Sequence, residues 1–255
     1  MAARTLPGER DKKMTILLTP FMSCSAKLPI YALFTAAFFP ENPALVMIAL
    51  YAAGIALCVL SGCLMKETAF RGVPVPFVME LPNYRFPSAK TVLLLLWDKA
   101  KDFVQRAFTV ILLATVLIWF LQTFDTRLNP VTGGAGSMLA AVGKLLGGIF
   151  APLGFPDWRV AAALITGFTA KEAVISTLAV LTGAGTAGVG ARLHELFTPP
   201  AAAGFLVFTL LYTPCVAAVN TVRREYGNIR GTVFIVLYQT GVAWAAAFAV
   251  YHILK

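Results

Sequence analysis

Pro43-Ala-Leu-Val-Met-Ile-Ala-Leu-Tyr-Ala-Ala-Gly-Ile-Ala-Leu-Cys-Val-Leu-Ser-Gly-Cys-Leu-Met65 runs for 23 residues without a charge. A helix rising 1.5 Å per residue over that length covers the roughly 30 Å hydrocarbon core of a bilayer. The whole chain shares this character. Of its 255 residues, 58% are hydrophobic and 13% charged, and the mean hydropathy is +0.77. Ordinary globular chains carry roughly 25% charged residues. A soluble fold this apolar could not cover its surface with polar side chains. The sequence therefore predicts an all-α, polytopic transmembrane helical bundle. It excludes a secreted disulfide scaffold, a disordered chain and almost every class of cytosolic enzyme.

Working outward, six further apolar runs stand at 14–39, 103–124, 137–155, 158–181, 204–222 and 229–253. Together they predict about seven spans, some broken or re-entrant. The run at 137–155 is the weakest, with Lys144 inside it and Gly143, Gly147 and Gly148 spaced for close helix packing. The net charge of +9 would suggest nucleic acid in a soluble protein. Here the basic residues fall between apolar runs, and no basic patch interleaves with exposed aromatics, so nucleic acid is not an expected partner. With the N-terminus inside, 14 Lys and Arg fall in inside segments and three in outside ones (Arg127, Arg192 and Lys255). That bias predicts seven spans with the C-terminus outside. Three regions follow: a membrane segment over 1–65, a cytoplasmic loop over 66–102, and a second transmembrane domain over 103–255. Within the loop, Thr91 to Trp97 reads as a helix lying in the interface, Trp97 at headgroup level.

Several signals carry no function. Residues 4–22 mimic a signal peptide, but Pro20 interrupts the apolar core and Lys27-Leu28-Pro29 follows closely. Gly183-Ala-Gly-Thr-Ala-Gly188 matches a dinucleotide fingerprint but follows a membrane span, so it reads as a loop. No G-x-x-x-x-G-K-[ST] occurs. His194 and His252 make no metal spacing, and no nucleophile–base pair appears, so an enzyme is not expected.

Two Thr-Pro breaks interrupt apolar runs. One is Thr19-Pro20-Phe-Met22-Ser23-Cys24-Ser25-Ala26; the other is Thr213-Pro214-Cys215-Val-Ala-Ala218. Proline removes an N–H and frees the carbonyl four residues back. In lipid, freed backbone groups persist only where buried or lining a wet cavity. Broken helices with polar groups at the break are how many transporters build ion sites. A third element is Gly167-Phe-Thr-Ala-Lys171-Glu172, two charges amid an apolar run. Intramembrane charges are functional by default. Adjacent residues on a helix point about 100° apart, so each charge needs another partner. The pair is expected at a helix interruption facing the bundle interior. Thiol, thioether (Met22) and carboxylate together suit Fe(II), Mn(II) or Zn(II) better than Na⁺, Mg²⁺ or Ca²⁺. The four cysteines all lie in apolar runs, which argues against an extracellular disulfide framework. Cys58 and Cys63 read as packing.

Four motifs together resemble the ferrous iron transport protein B family, FeoB: 17–31, 80–87, 167–172 and 211–217. They occur in order over nearly the whole chain. The resemblance implies the C-terminal part of a membrane domain with gate segments of nucleoside-transporter-like architecture. It implies that the chain carries Fe²⁺ across the bacterial inner membrane as a multi-pass protein, with Fe²⁺ transported and no resident cofactor. Ser23, Cys24 and Ser25 match the first gate cysteine motif, and Cys215 the second. Lys171 and Glu172 match the gate-helix motif; Glu80 and Tyr84 match that of the inside loop. The family begins with a GTPase domain and a helical spacer, and this sequence has no P-loop. Met1-Ala-Ala-Arg-Thr5 resembles the tail of an earlier family motif, so Met1 reads as an internal residue of a longer parent. The missing N-terminal half is then the expected protein partner, beside the lipid bilayer; a homo-oligomer is compatible. Two rivals remain: a gate-type nucleoside or small-solute transporter, and a non-transporting membrane fragment or scaffold.

Overall fold

A computed structural model describes residues 6, 8–68, 86–131, 135–213 and 215–255. Glu80, Tyr84 and Pro214 lie outside the described residues. The described residues form eleven α-helices and no named strand.

Acidic residues in the first turn of α1 (Glu9–Leu18) suit the positive end of its dipole. Thr19 and Pro20 end that helix in a single 3₁₀ turn, and the chain runs extended through Met22 and Cys24. A second 3₁₀ turn, Ser25–Lys27, leads into α2 (Leu28–Phe38), whose Pro29 occupies the first turn, where a missing N–H costs nothing. The opening stretch is thus a span-length run of 30 residues, Glu9–Phe38, broken in its middle. α3 (Pro43–Thr68) is the uninterrupted 26-residue span, with Leu45, Ile48, Val59 and Leu60 exposed as lipid requires.

α4 (Ala89–Thr123) starts at Ser88, whose Oγ accepts the Thr91 N–H at 3.3 Å. It runs 35 residues without a break. The stretch expected to lie in the interface and the span that follows are therefore one helix, roughly 50 Å long at 1.5 Å per residue. Leu93 to Trp97 are all more than half exposed on it.

The expected spans at 137–155 and 158–181 take a different form. Ser137 caps α5 (Met138–Phe150) and Asp157 caps α6 (Trp158–Thr169), each through a side-chain oxygen accepting a backbone N–H. The 13 residues of α5 and the 12 of α6 are each too short to cross a bilayer alone, and the two meet at 103°. Gly143 and Gly147 make the close crossing possible. A Cβ on either would stand 2.6 Å from the carbonyl oxygen of Trp158 or Pro156. Gly148 faces open space instead, so it takes no part. α6 stops at Thr169, and α7 (Ala173–Thr182) begins after a three-residue interruption that holds Lys171 and Glu172.

Gly183, left-handed at φ 67°, closes α7, and Gly185, at φ 64°, opens α8 (Gly185–Leu196). The glycine-rich stretch read as a loop is thus mostly the start of a helix. α9 (Pro199–Leu211) is the central element, with Ala201, Ala202, Gly204, Phe205, Leu206 and Phe208 to Leu211 buried. Phe205 stacks on Phe34 at 4.8 Å and meets Phe197 at 5.0 Å, joining α2, α9 and the residue that ends α8 in one aromatic core. α10 (Val216–Tyr226) continues after the second break, and α11 (Ile229–Leu254) packs along α9. Among the described residues, four helical stretches are long and apolar enough to span, or five if the bent pair α5–α6 counts as one. The bundle is all-α and polytopic, as expected.

Candidate functional site

Three helices break, and their breaks converge on one cavity of about 610 Å³. Its wall takes Thr19, Pro20, Met22 and Cys24 from the α1–α2 break, Lys171 and Glu172 from the α6–α7 break, and Cys215 from the α9–α10 break. The first turns of α10 (Ala217, Ala218) and Thr15 and Ile16 of α1 supply further wall. Ser23, Ser25 and Thr213 do not line it. Ser23 is half-buried and Ser25 is exposed. Thr213 is buried with its hydroxyl against that of Thr240, fastening the second break to α11.

The breaks leave carbonyls without helical partners, and side-chain donors reach several of them at the ends of α1 and α9. At the end of α1, Thr15 O keeps its helical bond from the Thr19 N–H and also accepts Thr19 Oγ1 at 2.7 Å. Gln239 Nε2, buried on α11, donates to Leu17 O at 3.2 Å. Cys58 Sγ stands 3.7 Å from Leu18 O as a weak donor. Cys58 is therefore more than a small hydrophobe in the core; its thiol faces an otherwise freed carbonyl.

At the end of α9, Leu210 is the residue four before Pro214, so the usual helical donor to its carbonyl does not exist. Lys27 fills the place. Its Nζ donates to Leu210 O at 2.6 Å and to Met22 O at 3.4 Å, and the residue is 3% exposed. Lys171, also 3% exposed, donates to Tyr212 O at 3.4 Å and sits 3.1 Å over the centroid of the Tyr212 ring. Two lysine Nζ atoms thus sit at the C-terminal end of α9, where the helix dipole is negative. Gly167 makes room for this arrangement: a Cβ there would lie 2.7 Å from Tyr212 Oη. Glu172, next in the chain, is exposed on the cavity wall.

Lys27 and Tyr212 were not singled out from the sequence. Lys27 carried a readable signal, a charge inside an apolar run, the same that marks Lys171. Tyr212 carried none. No group of three or more His, Cys, Asp and Glu side chains is gathered closely enough to hold a metal, among the described residues. The cavity is a lined space with separated donors rather than a closed coordination shell.

Residues 47–99 match the family model described as the ferrous iron transport protein B C terminus, and residues 104–229 match that described as nucleoside recognition, the Gate family. The chain is 40% identical over 253 residues to the Fe(2+) transporter FeoB of Staphylococcus aureus strain MSSA476. The chain is similar to FeoB proteins along nearly all of its own length. The FeoB of Methanocaldococcus jannaschii is 35% identical over 258 residues, and a Fe(2+) transport protein A/Fe(2+) transporter FeoB fusion protein of Porphyromonas gingivalis is 35% identical over 301. These alignments take in 99%, 98% and 99% of this chain but 38%, 38% and 36% of the relatives. The chain thus spans somewhat over a third of the length of the FeoB proteins it matches. No solved structure matches it.

Proposed function

We propose that this chain forms part of the path by which Fe²⁺ crosses the bacterial inner membrane, as the C-terminal membrane portion of a FeoB permease. One observation carries the reading: Cys24 and Cys215, each just after a Thr-Pro break and far apart in sequence, line one cavity among broken helices. Thiols, a thioether and a carboxylate on one wall suit a borderline divalent ion such as Fe²⁺. Their dispersal supports passage, because conduction needs sites weak enough to release the ion. A polar organic solute has no need of the two thiols, which weighs against a nucleoside carrier. In this reading the chain does no bond chemistry. The part lying ahead of it in the longer FeoB relatives would supply the GTPase and the first membrane segments, in the same or a separate chain.

The test is Fe²⁺ uptake by proteoliposomes in which the chain is joined to that preceding part. Cys24→Ala and Cys215→Ala should each lower uptake by about tenfold or more, the scale on which lost metal contacts act, at unchanged protein level. Wild-type uptake in both variants would sink the proposal.

A further inference from the structure

Lys27 and Lys171 come from two different helix breaks, yet both ammonium groups end on the C-terminus of a third broken helix, α9. Both are buried and both line the cavity that holds Cys24 and Cys215. Their hydrogen bonds go to main-chain carbonyls: Leu210 O and Met22 O for Lys27, Tyr212 O for Lys171. Lys171 also rests on the face of the Tyr212 ring. Carbonyl oxygens at the negative end of a helix are what an incoming cation would seek. Here that place is already taken by cations on tethers. A divalent ion brought within a few ångströms of two ammonium groups in a low-dielectric cavity is strongly repelled. Ion and ammonium groups therefore exclude one another.

We propose that Lys27 and Lys171 are tethered counter-cations of the α9 break, and that a divalent ion occupies the cavity only by displacing them from the Leu210 and Tyr212 carbonyls. This rests on the reading of the cavity as a cation path. The lysines are positioning residues: they hold the broken end of α9 against α2 and α7 while the path is empty, and release it when an ion arrives. They also set a threshold, because an ion must outcompete a charge already in place.

The experiment reads occupancy without transport. In proteoliposomes holding this chain, N-ethylmaleimide labelling of Cys24 and Cys215 is followed by mass spectrometry across a Mn²⁺ titration. Mn²⁺ filling the cavity slows labelling. The Mn²⁺ concentration giving half-protection should fall about tenfold in Lys27→Gln and in Lys171→Gln, the scale of one charge-assisted hydrogen bond. It should stay at the wild-type value in Lys27→Arg, which keeps the charge. Gln keeps a donor for the orphaned carbonyl, so it separates charge from hydrogen bonding, and Lys171→Gln carries the test should Lys27→Gln fail to insert. Unchanged midpoints in the Gln variants, with Mn²⁺ still protecting, overturn the role of the lysines and leave the path standing. No protection of either cysteine at any Mn²⁺ concentration overturns the path and the lysine proposal together.

Discussion

Glu172 and Lys171 are neighbours in sequence with opposite fates: the lysine is buried on Tyr212, and the glutamate is exposed on the cavity wall. The interruption between α6 and α7 allows this, since Ala170 is extended and the turn after it takes the pair out of α6's helical register. Glu172 is the carboxylate that the α6–α7 break contributes to the wall. Glu172→Gln keeps its shape and removes its charge, so Fe²⁺ uptake should drop severalfold while membrane insertion is unchanged. Full uptake by that variant would make Glu172 a bystander. At this scale the sequence was partly legible. A charge in an apolar run is costly wherever it stands, so Lys171 and Glu172 declared themselves. Lys27 obeys the same rule, but in the sequence Lys27-Leu28-Pro29 speaks only against a signal peptide. The choice of Cys24 over Ser23 and Ser25 for the wall depends on the extended backbone between two 3₁₀ turns, and residue type alone does not encode it.

The breaks were legible at the scale of elements because proline and intramembrane charge each have a definite backbone cost. What hydropathy could not give was the path of the chain between them. Apolar length does not distinguish a crossing helix from two short helices meeting at 103°, as α5 and α6 do. The glycine spacing in α5 pointed correctly to close packing but did not say which glycines pack. The crossing yields a graded test. Gly143→Ala and Gly147→Ala each place a methyl 2.6 Å from a backbone carbonyl that cannot step aside, and Gly148→Ala meets nothing within 4 Å. The first two should each destabilise by about 1–3 kcal/mol, as overpacking does. Gly148→Ala should be neutral or slightly stabilising, since alanine favours a helix. Thermal unfolding of the purified protein in detergent reads all three. Equal midpoints for Gly143→Ala and Gly148→Ala would contradict the packing described for α5 on α6.

For the whole molecule, composition alone fixed the class: a chain this apolar folds as a membrane bundle or not at all. The convergence of the three breaks was not legible, because nothing in spacing says that Thr19-Pro20, Lys171-Glu172 and Cys215 share one cavity. It follows from α9 lying at the centre, with α2 against its aromatic face and α11 along its length, so that its broken end faces both other breaks. The central claim is that this shared cavity is the route of the ion. The most direct measurement treats the FeoB-type protein with a short bifunctional maleimide, then assays both the Cys24–Cys215 cross-link and Fe²⁺ uptake in the same vesicles. The account predicts that the cross-link forms, that uptake falls in proportion to it, and that Cys24→Ala or Cys215→Ala abolishes the link. A cross-link formed in full with uptake undiminished would contradict it.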